Sequence, residues 1–233
     1  MRESKINLFE RPKLRDPILI GGNPGVGFVA DVTITQIIRK LKAEKFGEII
    51  SPLFKDIVVT TPDGGIQSPI IELYHCSSGG SDLIILYGNS QALTSYGQYE
   101  LCGKILDAVQ ELGCELVVCL GELVRDTDVA FPEVYCTATD FEMLDRLMKH
   151  NLRIFNGQVS GISGLLTGLA KLRGISGFCL LAETGGTQPD VVAVKVLLDK
   201  LNSILGLSID LADLEKGVED VGRTFESMER ERK

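Results

Sequence analysis

Two glutamates that follow apolar, strand-like stretches are the side chains best placed to do chemistry. Glu183 and Thr184 follow residues 178–182, and Glu122 follows residues 116–120. A carboxylate at the end of a buried strand can have a raised pKa and can transfer protons on a bound small molecule. The same side chains can instead satisfy loop N–H groups or line a contact between subunits. Both interpretations remain open at the level of the sequence.

A glycine-rich turn is the second candidate element. Residues 25–30 lie between a predicted strand and a predicted helix and match the G-x-G-x-x-A variant of the dinucleotide fingerprint. The strand that should supply an acid for the ribose ends at Ser51 instead. A tight turn that only glycine tolerates is the favoured explanation. Because ligands of open α/β sheets bind where strands end, the candidate ligand-binding residues are Gly25, Gly27, Gln91, Glu122, Glu183 and Thr184.

Other catalytic and metal motifs are missing from the sequence. There is no Walker-type GxxxxGK[ST] stretch, and residues 161–165 lack the final glycine of G-x-S-x-G. Neither His75 nor His150 has a catalytic motif around it. The six cysteines form no CxxC pair, so buried free thiols are expected rather than disulfides or a zinc site. We therefore expect no catalytic residues, no metal and no cofactor.

Composition excludes several classes of partner. The 233 residues carry a formal charge of −8 and no basic stripe, so nucleic acid is not an expected partner. The longest uncharged stretch, residues 154–170, falls short of the roughly 20 apolar residues of a membrane span. Charged residues interrupt the N-terminus, so we expect no signal peptide, no membrane contact and a cytoplasmic location.

Apolar stretches of strand length alternate with amphipathic stretches of helical length. The predicted strands are 17–22, 46–50, 57–60, 66–73, 83–87, 116–120, 152–155 and 178–182. The predicted helices are 26–41, 98–112, 140–150, 160–173 and 189–205. This alternation predicts an α/β fold with a mostly parallel sheet and helices on both faces, plus an antiparallel hairpin at residues 61–65.

Two helical stretches carry further patterns. In the predicted helix 160–173, Gly161, Gly164 and Gly168 form a stripe without side chains that allows another segment to approach closely. The predicted α/β domain covers residues 1–208, and a helical tail follows at 209–233. The tail carries a seam, that is, a row of apolar residues at alternating spacings of three and four. The seam residues are Leu211, Leu214, Val218, Val221, Phe225 and Met228. They predict an amphipathic helix that docks on its own domain or mediates self-association.

A set of short motifs spread over nearly the whole chain is specific in combination. In chain order they are Pro24-Gly25-Val26-Gly27, Gln91, Tyr99-Glu100, residues 161–166, residues 180–184, Pro189-Asp190 and residues 205–210. In these motifs the chain resembles the archaeal and bacterial members of the proteasome assembly chaperone family. That family has also been filed as an uncharacterised ATP-grasp-like group.

The resemblance implies a purine-nucleoside-phosphorylase-like α/β fold without a demonstrated catalytic site, assembled into homo-oligomers. It also implies proteasome α subunits as possible partners, because some members bind them and help 20S particles to assemble. Those members can carry a C-terminal hydrophobic-tyrosine-any tripeptide, whereas this sequence ends in residues Glu231, Arg232 and Lys233. We expect contacts through surfaces outside that tripeptide.

The leading hypothesis from the sequence is therefore a non-enzymatic, oligomeric binding protein. The alternative is an enzyme or metabolite sensor that uses the pocket at the strand ends around Gly25, Gly27, Glu122 and Glu183.

Overall fold

In this computed structural model, alternating strands and helices build a nine-stranded sheet. The structure describes residues 3–22, 27–61, 63–127, 129–186, 190–211 and 214. The strands are β1 (Lys5–Leu8), β2 (Ile18–Gly22), β3 (Glu44–Ile50), β4 (Val59–Thr60), β5 (Ile66–Gln67), β6 (Ile71–Ser78), β7 (Ser81–Gly88), β8 (Leu116–Val124), β9 (Val134–Ala138), β10 (Arg153–Ile154) and β11 (Ser176–Thr184). The helices are α1 (Val29–Leu41), α2 (Ser95–Glu111), α3 (Phe141–Met148), α4 (Gly161–Leu172) and α5 (Val191–Leu205).

The sheet has a parallel centre and antiparallel flanks. Its order is β1-β3-β6-β7-β2-β8-β11-β9-β10, and the four strands from β7 to β11 run parallel. On one side β6, β3 and β1 add antiparallel strands, and on the other side β9 pairs antiparallel with β11. Strands β4 and β5 form a separate hairpin around residues 61–65, as the turn residues predict. The predicted α/β class is confirmed, with a mixed sheet.

Both faces of the central strands are buried. Successive residues of β8 alternate between two apolar clusters, with Val118 and Leu120 on one face and Val117 and Cys119 on the other. Helices α1, α3 and α5 cover the first face, and α2 and α4 cover the second. This arrangement explains why the central strands are apolar throughout.

Some element boundaries differ from the prediction. The predicted strand 66–73 is two strands, because Pro69 has no N–H to donate and interrupts the ladder. The predicted helix from residue 26 begins at Val29, after two residues with left-handed φ, Gly27 and Phe28. Short β1 and β9 were missed, since each is stabilised mainly by pairing with strands distant in the sequence.

The start of the predicted tail lies against the core. Leu214 is 3% exposed and belongs to the cluster on the α1 and α5 face, and Leu211 packs against the same cluster. The other seam residues, Val218, Val221, Phe225 and Met228, lie outside the described residues, so the roles of the tail and of the boundary at 208 stay predictions. In the part of the chain that the structure describes, no helix is long and apolar enough to cross a bilayer.

The tip of the β6–β7 hairpin gives a test of this packing. Gly79 and Gly80 both have positive φ, but a Cβ on Gly79 would lie 2.1 Å from the carbonyl oxygen of Gly206, whereas one on Gly80 would meet nothing within 4 Å. We expect Gly80→Ala to cost about 1–2 kcal/mol of stability through backbone strain alone. Gly79→Ala should cost about 1–3 kcal/mol more because of the clash. Urea unfolding measures both, and equal losses would contradict the packing of this hairpin on the end of α5.

Candidate functional site

The carboxyl ends of the parallel strands meet in what we call the strand-end rim, formed by Gly27, Glu122, Glu183 and Thr184. A Cβ on Gly27 would lie 3.0 Å from Cγ2 of Thr184 and 3.3 Å from Cα of Gly186. The turn after β2 and the turn after β11 are therefore in direct contact, and Gly27 needs both its φ of 86° and its missing side chain. Gly25, the remaining glycine of this predicted site, lies outside the described residues.

Thr184 is fully buried and its hydroxyl organises the turn after β11. Its Oγ1 donates to Oδ2 of Asp190 (3.1 Å) and accepts from the N–H of Gly186 (3.2 Å). Asp190 in turn caps α5, since its Oδ1 accepts from the N–H of Ala193 (3.0 Å). The polar groups of Thr184 are thus engaged by its own chain.

Glu122 occupies the N-terminus of α1. Its Oε1 accepts a hydrogen bond from the N–H of Ala30 (2.9 Å), at the helix end where a dinucleotide fold would bind a phosphate. In addition, β3 does not lie beside β2, as the second strand of a dinucleotide-binding unit does. Both observations favour the tight-turn explanation of residues 25–30 over dinucleotide binding.

Asp31 is a buried acid whose charge acts on half-buried Glu122, and it was not among the residues predicted from the sequence. Burial raises the pKa of Asp31 to about 7, and burial also raises the pKa of Glu122 to about 7, to which the charge of Asp31 contributes. No described residue donates a hydrogen bond to Oδ1 of Asp31. The signal in the sequence was an acid in the first turn of a helix whose neighbours there, Val29, Ala30 and Val32, are all apolar.

The pKa of Glu183 is lowered, whereas the sequence suggested that it could be raised. Burial alone would raise its pKa, but hydrogen bonds from Arg125 and from the N–H of Glu133, with the charge of Arg125, outweigh burial and lower the pKa. Its Oε1 lies 2.8 Å from Nε and 2.5 Å from Nη2 of Arg125, and its Oε2 lies 3.1 Å from the Glu133 nitrogen. The expected raised pKa is therefore wrong for Glu183, because a guanidinium that follows β8 reaches it.

Gln91 lies on the α2 and α4 side of the sheet. A Cβ on Gly161, whose φ is 74°, would lie 3.1 Å from Oε1 of Gln91. Gln91 therefore packs against the first residue of α4.

The glycine stripe of α4 opens partly to the surface. A Cβ on Gly164 would lie 2.1 Å from the carbonyl oxygen of Val159, so this glycine permits a close approach within the chain. A Cβ on Gly168 would meet nothing within 4 Å. Gly168 instead lines a groove between α2 and α4, of about 350 Å³, together with Tyr99 and Leu165. We call this feature the α2–α4 groove.

An exposed tyrosine, Tyr99, lines the α2–α4 groove and is 57% exposed. Tyr96, one helical turn away on α2, is 75% exposed. The stripe is visible in the sequence but the groove is not, because the other wall of the groove comes from a helix distant in the chain.

The remaining reactive side chains are used structurally. Ser163 donates to the carbonyl oxygen of Leu120 (2.8 Å), as helix packing predicts. All six cysteines are free thiols, five of them buried, which confirms that interpretation. Burial raises the pKa of Cys102 and of Cys119 to about 12, so these thiols are poor nucleophiles.

The rim carboxylates are thus held by a backbone N–H and by Arg125, and the α2–α4 groove is lined by glycines and a tyrosine. The model of the PAC2 family matches residues 19–229, and the chain belongs to the PAC2 family. The resemblance to the proteasome assembly chaperone family is thereby confirmed. The likeness to purine nucleoside phosphorylases stays a prediction.

Solved and curated relatives cover nearly the whole chain. The crystal structure of Pyrococcus furiosus PbaB, an archaeal proteasome activator, is 32% identical with a TM-score of 0.87 and covers 98% of this chain and 100% of that one. PbaA of the same organism, an archaeal homolog of proteasome-assembly chaperone, is 25% identical with a TM-score of 0.79, over 99% and 100% of the two chains. The uncharacterised Methanocaldococcus jannaschii protein MJ1210 is 31% identical over 93% of this chain and 84% of its own length.

The two rim glutamates predict opposite pH dependences. Glu122 has a folded-state pKa raised from 4.5 to about 7, so its neutral form stabilises the fold below pH 4.5, and that contribution is lost as pH rises through 7. Glu122→Gln keeps the acceptor for the Ala30 N–H, and we expect its gain in stability over the parent protein to rise from about 1 kcal/mol at pH 5 to about 3 kcal/mol at pH 8.

Glu183→Gln is the matched variant. The pKa of Glu183 in the parent protein is lowered, so its carboxylate stabilises the fold at neutral pH and loses this effect as pH falls. The variant should therefore be less stable than the parent protein at pH 7, and the two stabilities should become equal in acid. Thermal unfolding from pH 4 to pH 8 measures both variants. Parallel curves for the two would contradict this assignment of the charges.

Proposed function

We propose that the protein is a non-enzymatic, oligomeric binding protein that contacts proteasome α subunits. The observation that carries this proposal is the 32% identity to a proteasome activator along the full length of both chains. Identity at that level over a complete fold supports a shared kind of surface as well as a shared scaffold. The cytoplasmic location expected from the sequence belongs to the same proposal.

The state of the rim supports a binding role over catalysis. General acid–base catalysis needs a carboxyl group that is free to reach a substrate proton. Glu122 is hydrogen-bonded to the start of α1, and Glu183 is held by Arg125 and by a backbone N–H. Each carboxylate therefore already performs the structural task that the sequence left as its alternative.

The α2–α4 groove is the surface that we assign to protein contact. Tyrosines are enriched in protein interfaces because they bury a large apolar ring while the hydroxyl keeps a hydrogen bond. Tyr99 presents such a ring beside a depression lined by Gly168 and Leu165, and Tyr96 adds a second exposed ring one helical turn away on α2. The groove lies across the sheet from Leu214, so the chain's own tail begins on the other face.

A small-molecule site at the rim is the second candidate function. The observation that favours it is Asp31, which is 3% exposed and whose Oδ1 accepts no hydrogen bond from the described residues, so that a ligand donor could satisfy it. Burial raises the pKa of Asp31 and of nearby Glu122 to about 7. Thermal unfolding with a panel of nucleosides, nucleotides and acyl compounds tests this candidate. A shift that Asp31→Asn removes would support it, and a flat result would eliminate it.

Substitutions at Gly168 test the proposed surface with a matched control. Gly168 is exposed and has open space around it, so alanine and phenylalanine are both sterically allowed. We expect Gly168→Phe to fill the α2–α4 groove and to abolish complex formation with purified proteasome α and β subunits on native gels. Gly168→Ala should leave the complex intact and stabilise α4 by up to about 1 kcal/mol.

Native mass spectrometry of the same variants separates the two kinds of contact. Loss of the oligomer in Gly168→Phe would assign the groove to self-association, and loss of the proteasome complex alone would assign it to the partner. Phe141→Ala, an exposed aromatic on α3 across the sheet, is the control for general surface effects. Unchanged assembly in Gly168→Phe would contradict the assignment of the groove, and no complex with the parent protein would contradict the proposed function.

A further inference from the structure

A cluster of one histidine and two glutamates lies at the opposite end of the sheet from the strand-end rim. Glu10 follows β1, Glu44 begins β3 and His75 lies within β6. One potential ligand atom from each of the three side chains lies within 4.8 Å of the others. We propose that Glu10, Glu44 and His75 form a binding site for a divalent transition-metal ion, with zinc as the best fit.

The backbone holds the three ligands in place. Glu44 and His75 are directly opposite each other in the antiparallel ladder of β3 and β6, so their side chains share one face of the sheet. The carbonyl oxygen of Phe46 accepts hydrogen bonds from the N–H groups of Phe9 (2.8 Å) and Glu10 (3.4 Å). The ring of Phe46 also packs edge-on against His75, with centroids 5.6 Å apart. The cluster is thus built on paired strands.

The spacing suits tetrahedral coordination. Nε2 of His75 lies 3.2 Å from Oε1 of Glu10. Two ligands that each lie about 2.1 Å from a tetrahedral zinc ion are about 3.4 Å apart, so this pair is almost at the required distance. One carboxylate oxygen of Glu44 lies within 4.8 Å of a ligand atom on each of the other two side chains and would move closer to complete a three-ligand set. Water would take the fourth position, as in zinc sites that keep an open coordination position.

The local charge favours a cation. In the described part of the chain, neither Glu10 nor Glu44 forms an ion pair with a lysine or arginine, and the only ionisable partner of Glu10 is His75. Asp82 also interacts electrostatically with His75, but it accepts hydrogen bonds from the Ser77 hydroxyl and from a backbone N–H, so we do not count it as a ligand. An imidazole with two carboxylates matches zinc better than magnesium or calcium, which prefer oxygen ligands alone. No sequence motif signalled the site, because its ligands come from three separate strands or strand ends.

The two histidines of the chain make the test direct, because one is a ligand and the other is an internal control. His150 lies far along the chain and contacts Ser203. Tag-free protein is titrated with zinc chloride while imidazole resonances are followed by NMR, and the stoichiometry is measured by calorimetry. We expect one ion per chain, a shift of the His75 resonances and unchanged His150 resonances.

Variants identify the ligands. His75→Gln, Glu44→Gln and the surface substitution Glu10→Gln should each weaken zinc binding by at least about tenfold, the lower end of the loss seen for partners outside the coordination sphere. His150→Gln should bind as the parent does, and so should Cys76→Ala, which removes the thiol next to His75 in sequence. Melting temperatures without metal verify that Glu10→Gln folds. An absence of saturable binding, binding that survives His75→Gln, or binding lost in Cys76→Ala would overturn the proposal.

Discussion

The burial of the four central parallel strands on both faces is the constraint on which the structure depends. Strands of that kind have no solvated face, so a helical layer must cover each side: α1, α3 and α5 lie on one face, and α2 and α4 lie on the other. Helices α1, α2 and α5 follow the carboxyl ends of β2, β7 and β11, and these ends lie at the rim where buried polar groups gather. Every group there needs a partner, since an unsatisfied buried donor or acceptor costs about 1–3 kcal/mol.

The chain satisfies this requirement mostly with its own side chains. Thr184 and Asp190 close the turn after β11, Glu122 accepts from the first turn of α1, and Arg125 pairs with Glu183. Positions that an enzyme would leave open for a substrate thus stabilise the turns. Asp31 is the exception at the rim, because its burial is compensated by a raised pKa instead of by an ion pair.

The sequence predicts what depends on local pattern and fails where distant segments meet. The central strands and the helix ends at Gly113 and Gly206 follow from apolar runs and from glycine's access to positive φ. The direction of β9 could not be predicted, because its register is determined by β11. The charge of Glu183 depends on Arg125, which lies across the rim. The α2–α4 groove likewise requires two helices that are separate in the sequence.

The two faces of the sheet differ in how completely the chain covers them. On the α1 and α5 face, Leu207, Ile209 and Leu214 extend the core beyond the last helix of the domain and cover apolar surface. On the other face, the missing side chain of Gly168 leaves a depression that no described side chain fills. A glycine in an exposed helix position costs up to about 1 kcal/mol relative to alanine. The contact with another chain that we propose would offset this cost, since no described side chain packs on Gly168, and this is the physical basis for proposing partner binding on this face.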